Sequence, residues 1–106
     1  MSDEPRDLKR ADLTYDEYLQ VPGLLNLQRQ LSNPPHHDEM LFIIIHQTYE
    51  LWFRLVLHEL QNARQYMMNA EILRARHFVH RVVEIFKVAV QQIHVLETME
   101  PYEFLA

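Results

Sequence analysis

His36-His-Asp-Glu-Met-Leu-Phe-Ile-Ile-Ile-His-Gln-Thr-Tyr-Glu-Leu-Trp-Phe-Arg-Leu-Val-Leu-His-Glu-Leu-Gln-Asn-Ala-Arg64 decides the fold of this chain. Neither glycine nor proline interrupts it. Asp38 and Glu39 put negative charge in the first turn and Arg64 puts positive charge near the last, an arrangement that complements a helix dipole. The reading is one long helix. Every third or fourth residue gives Phe42, His46, Tyr49, Phe53, Val56, Leu60, Ala63 and Met67, a stripe in which one imidazole stands among apolar and aromatic side chains. A histidine so placed has two readings. It can fill a core with one ring nitrogen bonded to a neighbour. Alternatively, with Phe42 one turn before it, Tyr49 one turn after and Glu50 at i+4, it can belong to a wall suited to a flat ligand.

Downstream, Tyr66-Met-Met-Asn-Ala70 reads as a turn, with Asn69 the candidate cap of a second long helix ending near Met99. So short a link makes the two helices antiparallel. The second helix carries a 3,4 pattern of Ile72, Ala75, Val79, Val82, Phe86, Ala89, Ile93 and Leu96, which predicts its seam. Phe78, Val83, Ile85, Val88 and Val90 add apolar surface beyond that seam, as Ile43, Ile44, Leu51, Leu55 and Leu57 do on the first helix. Two helices cannot cover each other's whole circumference, so a partner surface is expected to bury the excess. Glu100-Pro-Tyr-Glu103 reads as the start of a further helix, with proline tolerated in a first turn.

Upstream, Thr14-Tyr-Asp-Glu17 has the form of a capping box and predicts a short helix. Tyr15, Tyr18 and Leu19 share its face, a pattern that an amphipathic helix docking by an aromatic surface would show. Pro22-Gly23 is expected to break or re-aim that helix, and Leu24, Leu25 and Leu27 to continue in a second short piece until Ser32-Asn-Pro-Pro35 stops the pattern. Residues 1–12 are charged or small and read as a disordered tail, so the organised segment is 13–106. The fold class expected is all-α: two long antiparallel helices preceded by short amino-terminal ones.

Composition narrows the function classes. Fifteen acidic against ten basic residues give a net charge of −5, and no basic stripe is present, which disfavours nucleic acid and an anionic membrane surface. There is no cysteine, hence no disulfide and no thiolate ligand. The charged start is no secretory signal and no apolar run is expected to span a membrane, so the chain reads as soluble and cytoplasmic. His77, His80 and Glu84 have a spacing that could place ligands on one side of a helix, but Arg74, Arg76, Arg81 and Lys87 around them oppose a bound cation. His58-Glu59 begins like a zinc-protease signature and fails at Asn62, where the second histidine is required. No Glu-x-x-His occurs in either long helix, so a di-iron bundle has no support.

The wording His37-Asp-Glu-Met-Leu-Phe-Ile-Ile-Ile-His-Gln-Thr-Tyr-Glu-Leu-Trp-Phe53, followed by Leu57-His-Glu-Leu60, closely resembles the first long helix of the tryptophan 2,3-dioxygenases. Thr14-Tyr-Asp-Glu-Tyr-Leu19 and Val95-Leu-Glu-Thr-Met99 extend the resemblance over about residues 13 to 106. It implies part of a larger all-helical, haem-dependent homotetramer that inserts both atoms of dioxygen across the indole C2–C3 bond of L-tryptophan, giving N-formylkynurenine and opening the kynurenine route. In that picture His46 matches the distal histidine facing the indole nitrogen, and Phe42 the aromatic residue packed against the substrate over haem b. Tyr15, Tyr18 and Leu19 would close the pocket of a neighbouring subunit. The proximal histidine that binds the haem iron, the arginine for the substrate carboxylate and the threonine for its ammonium group would all lie beyond residue 106, so no metal ligand is assigned here. The 106-residue chain alone is therefore expected to be inactive and need hold no haem. The competing reading is a non-catalytic helical oligomerisation module, and the indoleamine 2,3-dioxygenase branch is disfavoured by the wording from Phe42 to Trp52.

Overall fold

Thr14 has an extended backbone and its hydroxyl accepts from the Glu17 amide while the Glu17 carboxylate accepts from the Thr14 amide, at 3.2 and 3.0 Å. This reciprocal pair starts the first helix where the sequence predicts it. The computed structural model describes residues 13–99, and its elements are α1 (Tyr15–Leu19), α2 (Val21–Leu24), α3 (Glu39–Met68) and α4 (Ile72–Leu96), with no strand among the described residues. The expected tail over 1–12 and the helix start at Glu100 lie outside them. The break between α1 and α2 comes at Gln20, which takes a left-handed conformation with φ 55°. Pro22 and Gly23 therefore sit inside α2, and Leu25 and Leu27 follow it rather than continue it. Proline needs no donor in a first turn, which is why the chain re-aims just before it.

Helix α3 begins three residues later and ends four residues later than its sequence limits. Its start is fixed from outside the helix: the Glu39 carboxylate accepts from the Leu31 amide at 2.7 Å, the Ser32 amide at 3.1 Å and the Ser32 hydroxyl. Ser32 Oγ in turn accepts from the His36 amide at 3.0 Å. These bonds, the Ser32 hydroxyl first among them, hold the Glu39 carboxyl below its ordinary value of 4.5. Hydrogen bonds to the charged form are lost when it protonates. A depressed folded value contributes stability that is present above 4.5 and lost as pH falls through the folded value. The Leu31 and Ser32 amide resonances are thus expected to shift below pH 4.5 in an NMR titration and to lose that titration in Glu39→Gln.

At the other end of α3 the Glu71 amide donates to the Tyr66 carbonyl at 2.7 Å and the Ala70 amide to the Met67 carbonyl at 3.0 Å. This is a Schellman termination with Ala70 in the left-handed position at φ 63°. Asn69 accordingly closes α3, while the residue before α4 is Glu71 with no side-chain cap. A Cβ in that conformation is strained, so Ala70→Gly is expected to stabilise the hairpin by about 0.5–1 kcal/mol, read as a higher denaturant midpoint.

The pairs Tyr66 with Phe78, Glu59 with Arg81 and Thr48 with Gln92 fall along one helix as they rise along the other, so α3 and α4 are antiparallel. Their seam differs from the expected one. The buried apolar side chains are Ile45, Val56 and Ala63 on α3 and Ala75, Val82, Ile85 and Ala89 on α4, with Trp52 and Leu55 packed on the Val56–Val82–Ile85 cluster. Ile72, Val79, Phe86 and Ile93, assigned to the seam by their spacing, are exposed, and Ile85 is buried instead. At 3.6 residues per turn the α3 seam lies about a quarter-turn round the helix from the Phe42–His46–Phe53 stripe. Both faces of each long helix are apolar, so periodicity alone could not choose between them.

Much apolar surface stays uncovered, including Leu51, Leu57, Val83, Phe86 and Val90. By length and composition α3 is also apolar enough to cross a membrane, with a window of mean hydropathy 1.3, contrary to the expectation above. The reason is that only Glu50 and Arg54 carry charge between Met40 and Leu57. One such helix is weak support for a span, since helices of soluble proteins meet the same criterion.

Candidate functional site

On α3 the seam faces α4 and leaves the aromatic stripe outward. Phe42 and His46 lie with ring centroids 4.2 Å apart at 33°, and Tyr49 meets the other side of His46 edge-on at 6.3 Å. Phe53 continues the row, stacked on Tyr49 at 6.2 Å and 13°. Helical spacing alone builds this row, because residues one turn apart share a face. Phe42 and Phe53 remain 40% and 43% accessible, so the row is a surface open to a flat apolar partner.

The imidazole is oriented by the main chain. His46 Nδ1 lies 2.7 Å from the Phe42 carbonyl oxygen, which can only accept, so Nδ1 carries the proton. In the neutral ring Nε2 then holds a lone pair and accepts a hydrogen bond. Among the described residues His46 is exposed and lies off the seam between α3 and α4. Tyr49 adds a polar group at the edge of the row: its hydroxyl is buried and has no hydrogen-bond partner in the structure. Glu50 is exposed.

Two polar links were not legible in the sequence. Thr48 donates to the Ile45 carbonyl at 2.7 Å and lies 2.8 Å from the Gln92 carboxamide across the seam. Gln47, the residue after His46, exchanges hydrogen bonds with the segment after α2. A glutamine inside an apolar run was the available signal. The expected aromatic face of α1 exists, but Tyr15, Tyr18 and Leu19 are 74%, 60% and 45% accessible. Among the helices α1 packs only against α2, so the structure does not bring these three side chains to His46 within one chain.

The alternative constellations do not assemble. His80 Nε2 is 3.8 Å from Glu84, whose carboxylate also accepts from Lys87 Nζ at 2.9 Å, and His77 lies edge-on against Phe78. The Lys87 ammonium, followed by His80, holds the Glu84 carboxyl below its usual range. Among the described residues no three His, Cys, Asp or Glu side chains are grouped to hold a metal ion. Glu59 of the failed zinc motif is buried and accepts from Arg81 Nη1 at 3.2 Å.

The family model for tryptophan 2,3-dioxygenase matches residues 2–106. The chain belongs to the tryptophan 2,3-dioxygenase family. It is 54% identical over 99 residues to a tryptophan 2,3-dioxygenase of Nocardioides sp., an alignment covering 90% of this chain and 37% of that protein. Identity to the enzyme of Herpetosiphon aurantiacus is 47%, covering 89% of this chain and 36% of that one. For Saccharopolyspora erythraea it is 44%, covering 97% and 36%. The chain thus spans about a third of the length of these relatives.

Proposed function

We infer that residues 13–106 form the amino-terminal helical segment of a haem-dependent dioxygenase that cleaves the indole C2–C3 bond of L-tryptophan with dioxygen. Both oxygen atoms enter the product, N-formylkynurenine, so no further oxidant or reductant is needed. The observation that carries the reading is the orientation of His46: Nδ1 is tied to the Phe42 carbonyl, and Nε2 is left as an acceptor on an open aromatic row. An indole N–H is a donor of matching polarity on a flat apolar ring.

The residues present fit the distal side of a haem b, where an open aromatic row with an imidazole acceptor would face the bound group. Bound haem would supply dioxygen binding and activation. This chain's own side chains have separate tasks. Phe42 packs against the indole, His46 Nε2 accepts from the indole nitrogen, and the aromatic row excludes water from the reacting face. Holding the ring in one orientation selects the C2–C3 bond. Tyr15, Tyr18 and Leu19 complete the pocket of an adjacent copy in a homotetramer. Their exposure, and the absence of contact between α1 and the long helices, support service outside their own chain. The whole is a soluble cytoplasmic enzyme whose uncovered α3 and α4 faces are buried by further helices.

A non-catalytic association module is the second reading, favoured by the exposed Leu51, Leu57, Val83, Phe86 and Val90. Absorption spectroscopy separates the two. The native protein is expected to show a Soret band with haem and to consume L-tryptophan, whereas the 106-residue chain alone is expected to give no turnover. A native protein that gives neither band nor turnover would leave association as the function.

A further inference from the structure

The amino-terminal arm, residues 13–30, is held to the α3–α4 hairpin by polar links rather than by a packed face. Helices α1 and α2 contact each other and neither long helix. Leu25, Leu27 and Leu31, the leucines nearest the hairpin in sequence, are 69%, 60% and 88% accessible, so none of them docks the arm on the hairpin. What fixes it is a pair of carboxamides. Gln28 Nε2 donates to Gln47 Oε1 at 3.0 Å, and Gln47 Nε2 donates to the Leu27 carbonyl at 3.1 Å. Gln28 also donates to the Leu24 carbonyl at 3.0 Å, which ties the clasp to the last residue of α2.

We propose that Gln47 is a positioning residue for substrate: its clasp on Leu27 and Gln28 sets how the arm leaves the wall that bears His46, and so where Tyr15, Tyr18 and Leu19 are presented. This role rests on the function proposed above. Three features give the clasp that capacity. Gln47 directly follows His46 on a rigid helix, so its carboxamide and the imidazole keep a fixed relation. Two bonds from one planar amide fix a direction, whereas a single bond would let the arm swivel. Both glutamines are half-buried, so water competes less well for their amides than at a fully exposed site. The Glu39 latch on Ser32 is a separate restraint two turns earlier in α3 and restrains the loop before the helix, not the arm beside His46.

The test uses Gln47→Met, which keeps length and helix propensity but removes both of its bonds to the arm, and Gln28→Met, which lies outside the hairpin and removes one of those two bonds together with the Gln28 bond to the Leu24 carbonyl. In the haem-loaded native protein, Gln47→Met is expected to raise KM for L-tryptophan about tenfold and Gln28→Met about threefold, with kcat within about twofold. Gln47→Glu keeps the acceptor for Gln28 and is expected to fall between native and Gln47→Met. A second readout needs neither haem nor turnover: amide hydrogen exchange over residues 24–28 is expected to accelerate in both Met variants, with the α3–α4 seam unchanged. Unchanged KM in both variants overturns the proposal, even if exchange accelerates, because the clasp then restrains the arm without serving substrate. A loss of kcat at constant KM overturns it as well. A native protein without tryptophan turnover removes the underlying reading and this role with it, while exchange still reports whether the clasp holds the arm.

Discussion

His46→Ala in the haem-loaded native protein is expected to lower kcat/KM for L-tryptophan by about 100-fold, the lower end of what a positioned imidazole contributes. The expectation follows from the fixed tautomer. With Nδ1 bonded to the Phe42 carbonyl at 2.7 Å, Nε2 can accept from the indole N–H without first rearranging. A substrate methylated at the indole nitrogen cannot donate, so the native protein should discriminate strongly against it and His46→Ala should not. That comparison isolates the hydrogen bond from general damage to the pocket, which would slow both substrates alike. Equal rates for the two substrates in the native protein would sink the hydrogen-bonding role. Phe42→Ala should act differently, raising KM more than it lowers kcat, because packing on the ring is made before the reaction as well as during it.

The elements themselves were legible because their signals are local. The Thr14–Glu17 capping box, the uninterrupted run through Met40 to Leu60 and the short link before α4 each specify backbone through neighbours a few residues apart. The row of Phe42, His46, Tyr49 and Phe53 was legible for the same reason, since one helix turn brings these side chains together. The seam was not. On α4 the choice between Val79–Phe86–Ile93 and Phe78–Ile85–Gln92 depends on which face meets α3, and both sets are rich in apolar residues. Pairings between distant residues were equally hidden. Nothing near Glu59 in the chain names Arg81 as its partner, and nothing near Gln47 names Leu27 and Gln28.

Among stability changes, Arg81→Met is expected to have the largest effect, destabilising the native protein by about 1–3 kcal/mol through the buried carboxylate it leaves unpaired. The Glu59 side chain is 7% accessible and the Arg81 side chain 47%, so the pair is asymmetric: the carboxylate has lost its water and the guanidinium has not. Direct Coulomb gain is therefore screened on one side, and most of the loss comes from stranding Glu59. Arg81 also lies 5.1 Å above the Phe78 ring, which stacks on Tyr66 at 5.5 Å, with Arg74 4.6 Å above Tyr66. Removing the guanidinium ends one side of that ladder and adds a smaller loss. Glu59→Leu combined with Arg81→Met removes the charge along with its partner and restores apolar contact in the seam. The double variant is expected to recover most of the stability lost by Arg81→Met alone, measured as the urea midpoint at constant m-value. If it is as unstable as the single variant, the cost lies in the ladder of rings and cations, and Glu59 is held by something other than Arg81. If it recovers, the ion pair is replaceable for stability, and the reason for burying a carboxylate here must be sought in how it fixes the register of α4 on the helix that carries His46.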